Sequence, residues 1–217
     1  MRNLSQMRPD QDAFPKFNAS LRQAFERETE LFFNAILREN RPVTDLLSAD
    51  FTYLNQRLAQ HYGIPGVYGS QFRRVMLQDG NRGGLLGQGS ILTVTSYPNR
   101  TSVVQRGKWV LENLLGSAPP PPPPDIPALP EHTNDGKQLT MREQMEQHRA
   151  NPTCASCHSR MDPIGFSLEN YDGIGAWRTK DSGNDIDATG KMPDGTTFQG
   201  PAGLKTLLLS AHRDEFI

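Results

Sequence analysis

Several features that define common protein classes are missing from this sequence of 217 residues. No apolar run approaches the roughly 20 residues that a membrane-spanning helix needs, which excludes such a helix from this chain. Residues 1–17 are polar and lack the apolar core of an export signal. The net charge is −1 at pH 7, so the charge balance gives no reason to expect a nucleic-acid partner.

Cysteine is scarce, and the two cysteines of the chain lie within four residues of each other. Cys154 and Cys157 are followed directly by His158 in the pattern C-x-x-C-H. This spacing is typical of covalent haem attachment, because two intervening residues separate the two thioethers and the next residue lies beneath the iron. The pattern predicts one haem c, with Cys154 and Cys157 as anchors and His158 as the proximal iron ligand.

Two other interpretations of these cysteines remain open. They could form a redox dithiol, but the βαβ pattern expected around a thioredoxin-like site is missing. They could instead supply half of a zinc site, although the chain has no second C-x-x-C and no H-x3-5-H pair. We therefore favour haem over both zinc and a dithiol.

The sixth iron ligand decides the chemistry, since methionine suits electron transfer and an open position permits peroxide or small-gas chemistry. Met161 is excluded because it shares a helix, and therefore a haem face, with His158. Met192 precedes a proline, as the distal methionine of many small cytochromes does, and we predict that it is the ligand. His148 and an open site are the alternatives, and no residue is assigned a catalytic role.

A run of six prolines at 119–124 divides the chain into predicted domains. Residues 1–116 are expected to form a helical domain, and residues 117–138 an extended polyproline II linker. Residues 139–217 are expected to form a small, cytochrome c-like, all-α haem domain with one short β-hairpin at 186–198. The predicted fold class is thus mainly α.

Hydrophobic periodicity and capping residues predict the individual elements. The predicted helices lie at 18–40, 43–47, 53–62, 102–115, 140–148, 153–158 and 203–211, and one strand lies at 71–77. In the first helix, Glu26, Glu28 and Glu30 form a carboxylate cluster that we interpret as a solvated face. The glycines at 83–89 lack the spacing of a nucleotide-binding loop and predict close helix packing instead.

Segments on both sides of the proline run carry a resemblance to a known family. Those before it are GLLGQGSILT at 84–93, SYP at 96–98 and RGKWV at 106–110. Those after it are HRANP at 148–152, DP at 162–163, GF at 165–166, LEN at 168–170 and Gly175. Together they resemble the planctomycete-type multidomain c-type cytochrome proteins, which are built from domains of unknown function (1592, 1588 and 1585). The resemblance implies an exported mono-haem segment of a longer polypeptide and supplies no established activity.

The combined prediction is a mono-haem module, periplasmic or otherwise exported, that carries electrons within a larger multidomain redox protein. Haem c is attached outside the cytoplasmic membrane, so we expect the export signal upstream and the chain to be a fragment. Its partner should be a redox protein or an upstream catalytic domain, with a neutral or basic face, because acidic residues outnumber basic ones over 139–217. Arg149, Arg160 and Arg178 are candidate partners of the haem propionates.

Two other functions remain as alternatives. One is a peroxidase-like or oxidase-like haem enzyme with an open distal site. The other is a non-redox interaction module in which haem or zinc is structural.

Overall fold

The computed structural model describes residues 3–121, 139–181 and 183–216, and these residues form a mainly α-helical structure with short antiparallel strand pairs. The helices are α1 (Ala19–Arg38), α2 (Asp45–Ser48), α3 (Gln56–Tyr62), α4 (Gly89–Val94), α5 (Val103–Asn113), α6 (Met141–Arg149), α7 (Pro152–Phe166), α8 (Gly200–Ser210) and α9 (Arg213–Phe216). The strand pairs are β1 (Phe51–Leu54) with β2 (Arg73–Met76), β3 (Lys180–Asp181) with β4 (Asn184–Asp185), and β5 (Thr189–Lys191) with β6 (Thr197–Gln199). The prediction of a mainly α fold with a small hairpin is confirmed. Most of the predicted polyproline linker, 122–138, lies outside the described residues.

The long helix α1 forms where the sequence predicts it. The side chain of Asn18 accepts a hydrogen bond from the backbone N–H of Leu21, which satisfies one of the free donors at the helix start. Phe25 and Phe32 lie on the buried face, each fully shielded from solvent. The helix is therefore stabilised by an apolar stripe that packs on the rest of the chain.

Strand β1 corrects the prediction of a helix over 53–62. Residues Phe51–Leu54 pair antiparallel with β2, and Thr52 lies opposite Val75. Helix α3 begins only at Gln56, because the Asn55 side chain accepts a hydrogen bond from the Leu58 N–H at 3.0 Å and acts as the N-cap. The predicted strand at 71–77 is present as β2, but its partner was missed.

Helices α5 and α7 approach each other closely through two glycines. A Cβ atom on Gly107 would lie 2.0 Å from the carbonyl oxygen of Met161, and one on Gly165 would lie 2.0 Å from that of Val103. No larger side chain fits at either contact without moving a backbone. This contact joins a helix before the proline run to the helix that carries the C-x-x-C-H motif.

One hydrophobic core contains residues from both sides of the proline run. Leu86 and Val110 precede the run, and Ile164 and Leu204 follow it, and all four belong to the same buried cluster. The division of the chain at 117–138 stays a prediction.

A buried arginine fastens α5 to the segment that follows α7. The Arg106 guanidinium donates hydrogen bonds to the carbonyl oxygens of Leu168, Tyr171 and Asp172, at 2.7–2.8 Å. It also pairs with the Glu169 carboxylate at 3.3 Å. Burial lowers the pKa of Arg106 to about 10, which leaves the group charged at neutral pH. These bonds hold the segment that follows the C-x-x-C-H helix in a fixed position against α5.

Within residues 3–121, 139–181 and 183–216, none of the helices has the length and apolar character that crossing a membrane requires.

Candidate haem site

Helix α7 carries the C-x-x-C-H motif in its first half. The Asn151 side chain accepts a hydrogen bond from the Thr153 N–H at 2.9 Å, and Pro152 occupies the first turn, where its missing N–H costs nothing. The helix predicted at 153–158 is present but is longer than expected. The cap is Asn151, and the helix continues through Pro163 to Phe166. Burial of the second half against α5 outweighs the usual cost of an internal proline.

The two thiols lie one helical turn apart on α7. Cys154 and Cys157 are both free and half-buried, and the three-residue spacing places them on the same face of the helix. Cys157 packs against the core cluster that α5, α7 and α8 share. His158 follows directly, so the two thiols and the imidazole are presented by a single rigid element.

The imidazole of His158 is held by a buried carboxylate. The Nδ1 atom of His158 lies 2.9 Å from Oδ1 of Asp162, one turn further along α7. The side chain of Asp162 is fully buried and that of His158 is 14% exposed. Because an ionised carboxylate only accepts hydrogen bonds, this contact favours the tautomer of His158 with the proton on Nδ1 and the lone pair on Nε2. Nε2 is then the nitrogen that is free to bind a metal.

The second carboxylate oxygen of Asp162 faces helix α6. It lies 3.5 Å from Nε of Arg149, the last residue of α6. Among the described residues this oxygen accepts no hydrogen bond of good geometry. Asp162 thus lies between an imidazole on its own helix and a guanidinium on the neighbouring one, and it links the two helices.

The predicted propionate partners differ in their surroundings. Arg178 is already paired with the carboxylates of Glu169 at 3.1 Å and Asp181 at 2.8 Å. Arg160, on α7, donates one hydrogen bond to the hydroxyl of Ser117 at 3.1 Å and is exposed. Arg149 already faces the Asp162 carboxylate at 3.5 Å. Arg160 is therefore the best placed of the three to meet an additional carboxylate near His158.

The helix predicted at 140–148 is present as α6. It begins with a capping box at Thr140 and places His148 beside His158. The Thr140 side chain accepts a hydrogen bond from the Glu143 N–H, and the Glu143 side chain accepts one in return. At the other end, the rings of His148 and His158 meet edge to face with 4.8 Å between their centroids. Burial is the larger cause that lowers the pKa of His148, and the electrostatic effect of the neighbouring His158 lowers it further.

Met192 lies at the turn between β5 and β6, so the predicted hairpin is present. Strand β5 packs on α7, and a Cβ atom on Gly190 would lie 2.7 Å from the carbonyl oxygen of Pro163. The Met192 side chain is half-buried and packs against the same core cluster as Cys157. The structure therefore brings Met192 and the motif to a common core, and its role as a ligand stays a prediction.

The donor set of this region fits a c-type haem. Two free thiols and an imidazole with a fixed Nε2 lone pair are the groups that covalent attachment and proximal ligation need. A structural zinc ion needs four protein ligands, yet the described parts of the chain contain no group of three or more His, Cys, Asp or Glu arranged to hold a metal ion. A haem iron already has four porphyrin nitrogens as ligands, so it needs only the His158 imidazole from this motif.

A second group of buried polar side chains, around Glu28, was not predicted from the sequence. Glu28 is 1% exposed, and its carboxylate accepts hydrogen bonds from the hydroxyls of Thr52 and Tyr62, both at 2.6 Å. Burial raises the pKa of Glu28 to about 7. The interpretation of the glutamate cluster as a solvated face is wrong for this residue. Position 28 falls on the same stripe as Phe25 and Phe32, and that spacing could have revealed it.

Tyr62 belongs to a cleft of about 790 Å³ that lies apart from the C-x-x-C-H motif. Arg82 stacks on the Tyr62 ring at 3.9 Å, and Trp177 lines the same cleft. His61 is bound through Nε2 to the carbonyl oxygen of Ile174 at 2.8 Å, and burial lowers its pKa to about 4. The polar groups of this wall are therefore engaged within the protein.

Comparison with known families identifies two matching segments. Residues 82–181 match the family described as a protein of unknown function, DUF1588 (PSCyt3), and residues 1–64 match a second such family, DUF1592 (PSD4). Both belong to the group that the sequence resemblance indicated. The first match contains α5, the motif helix α7 and the Arg106 contacts. No curated protein and no solved structure matches this chain.

Proposed function

We propose that this chain, a member of the planctomycete-type cytochrome c families of unknown function, carries one covalent haem c and passes electrons within a larger exported redox protein. The observation that carries the proposal is the arrangement on α7. Two free thiols one turn apart precede an imidazole whose Nδ1 is bound by the buried Asp162. This arrangement fits covalent attachment with His158 as proximal ligand.

Each residue of the motif has one task in this function. Cys154 and Cys157 hold the porphyrin through thioether bonds, so the cofactor stays on the protein. His158 offers Nε2 to the iron, and Asp162 keeps Nδ1 protonated and the ring in one orientation. The haem, when bound, supplies a one-electron couple between ferric and ferrous iron.

Met192 is the proposed sixth ligand. Its thioether is half-buried against the core that Cys157 also contacts. His148 is less suitable as the sixth ligand, because its ring centroid lies only 4.8 Å from that of His158. A porphyrin does not fit between two rings in such contact. A methionine ligand would raise the potential and close the iron to small molecules, as electron transfer favours.

The proposal is tested with protein exported from cells that mature c-type cytochromes. Its ferric spectrum and a spectroelectrochemical titration would be recorded, together with peroxide turnover. We expect a six-coordinate low-spin spectrum, a reversible one-electron wave and no peroxide turnover above that of a control cytochrome. A high-spin spectrum with peroxide turnover would instead support the enzyme alternative, and a haem that no donor reduces would support a structural role.

A further inference from the structure

The Asp162 carboxylate is placed to do more than orient the ring of His158. We propose that Asp162 lowers the reduction potential of the haem iron by making the proximal imidazole a stronger electron donor. Asp162 is then a positioning and tuning residue that acts through His158 and does not touch the iron. This inference rests on the proposed function, since it requires His158 to bind a haem.

The hydrogen bond has the geometry of a strong interaction. Nδ1 of His158 and Oδ1 of Asp162 are 2.9 Å apart, and the carboxylate is fully buried. Hydrogen bonds to an ionised acceptor are about twice as strong as those between neutral groups, and a buried site screens them less than water does. A carboxylate therefore draws the Nδ1 proton more strongly than a backbone carbonyl would.

The effect on the iron follows from the charge that the ring carries. When the Nδ1 proton is drawn towards a carboxylate, electron density rises on the imidazole and Nε2 becomes a more basic ligand. A more basic ligand stabilises ferric iron more than ferrous iron, because the ferric ion has the higher charge. The reduction potential falls as a result, and hydrogen bonding around the ligand is one of the means by which a protein sets it.

The surrounding structure keeps the carboxylate in this position. His158 and Asp162 lie four residues apart on α7, so a single helix sets the distance between their side chains. The Arg149 guanidinium lies 3.5 Å from the second carboxylate oxygen and limits its rotation. The neighbouring residue Met161 lies at the close contact with Gly107 of α5. The pair is therefore held by α7 itself and by its two neighbouring helices.

The test compares the reduction potentials of three haem-loaded proteins: the wild type, Asp162→Asn and Glu146→Gln. Asparagine keeps the shape and an acceptor oxygen but removes the charge, so we expect the potential to rise. Glu146 is exposed on α6, and its replacement removes the same charge without touching His158. We expect a clearly smaller rise in that control. Equal shifts in the two variants would overturn the proposal, because they would show a general charge effect only.

A measurement on the haem-free wild type needs no variant that might fail to fold. Nitrogen-15 NMR of the imidazole distinguishes the two neutral tautomers, and the proposal requires the Nδ1–H form of His158. A predominant Nε2–H form would overturn it, because Asp162 would then accept no proton from the ring. A chain that matures without haem would overturn the proposed function and this inference together. An unshifted potential in haem-loaded Asp162→Asn would overturn this inference alone.

Discussion

The imidazole ring of His148 lies edge-on against that of His158, with 4.8 Å between the two ring centroids. Helix α6 ends at Arg149, next to His148, and α7 begins at Pro152, so a short connection fixes the two histidines side by side. Ligands on opposite sides of a haem must be separated by the porphyrin plane. The contact therefore argues that His148 is a neighbour of the proximal ligand, and that the sixth ligand comes from another element.

Replacing Met192 with alanine should remove the sixth ligand. We expect the low-spin ferric spectrum to be lost in most of the protein and the potential to fall, because a thioether favours ferrous iron. Met76→Ala is the matched control, since Met76 is 58% exposed on β2, and it should leave the spectrum unchanged. Loss of the low-spin spectrum in His148→Ala, with Met192→Ala unaffected, would assign the ligand to His148 instead.

The close contact between α5 and α7 predicts that Gly107→Ala destabilises the protein. The new methyl group would lie 2.0 Å from the Met161 carbonyl oxygen, and only a shift of one helix can relieve this. Overpacking of this kind costs about 1–3 kcal/mol. Urea unfolding measures the loss. Gly80→Ala is the control, because its nearest neighbour would lie at an ordinary contact distance of 3.4 Å, and a similar loss there would contradict the explanation.

Replacing the buried Arg106 should destabilise the protein more than replacing Gly107. Arg106→Met removes the donor for three carbonyl oxygens and one partner of the Glu169 carboxylate. Breaking a buried pair by removing one partner costs about 3–5 kcal/mol. Lys108→Met, on the same helix, removes a 43% exposed cation that pairs weakly with Glu112 and should change the free energy of unfolding by less than about 1 kcal/mol. Similar losses in both variants would refute a special role for Arg106.

Glu28 should make the stability depend on pH in an unusual direction. Burial raises the pKa of Glu28 from 4.5 to about 7, so between these values the folded protein holds a proton that the unfolded chain has released. The free energy of unfolding therefore falls as pH rises through this window, by about 3 kcal/mol in total. Glu28→Gln should abolish this contribution, as urea unfolding between pH 4.5 and 7 would show.

His61 should contribute in the opposite direction over nearly the same window. Burial lowers its pKa from 6.5 to about 4, so the unfolded chain binds the extra proton and the free energy of unfolding rises with pH between these values. The two contributions offset each other in the wild type. Stability should then rise with pH in Glu28→Gln and fall with pH in His61→Asn. Parallel pH profiles in the two variants would contradict the assigned shifts.

Local sequence signals located the elements whose determinants lie within a few residues. The helices predicted at 18–40, 102–115 and 140–148 are present, and in each the side chain of the first predicted residue (Asn18, Ser102 or Thr140) accepts a hydrogen bond from a backbone N–H of the first turn. These caps, like the C-x-x-C-H motif, are short-range patterns. Their physical cause is a side chain that bonds to a backbone N–H of the next turn. Such features need no knowledge of the rest of the chain.

The missed features depend on partners that are distant in sequence. Strand β1 forms because β2 supplies its hydrogen bonds, and Glu28 is buried because Thr52 and Tyr62 satisfy its carboxylate. The link between Asp162 and His158 is different, because a four-residue spacing is visible in the sequence. It was missed because Pro163 was expected to lie beyond the helix, whereas α7 continues through it to Phe166.

The most direct test of the central claim is the intact mass of the denatured protein, purified from cells with a c-type maturation system and paired with a reduced pyridine-haemochrome spectrum. We predict a mass gain of one haem and a spectrum typical of two thioether bonds, both lost when Cys154 and Cys157 are replaced with serine. A wild-type chain that emerges without haem, from cells in which a control cytochrome is matured, would contradict the account and would direct attention to zinc binding by Cys154, Cys157 and His148.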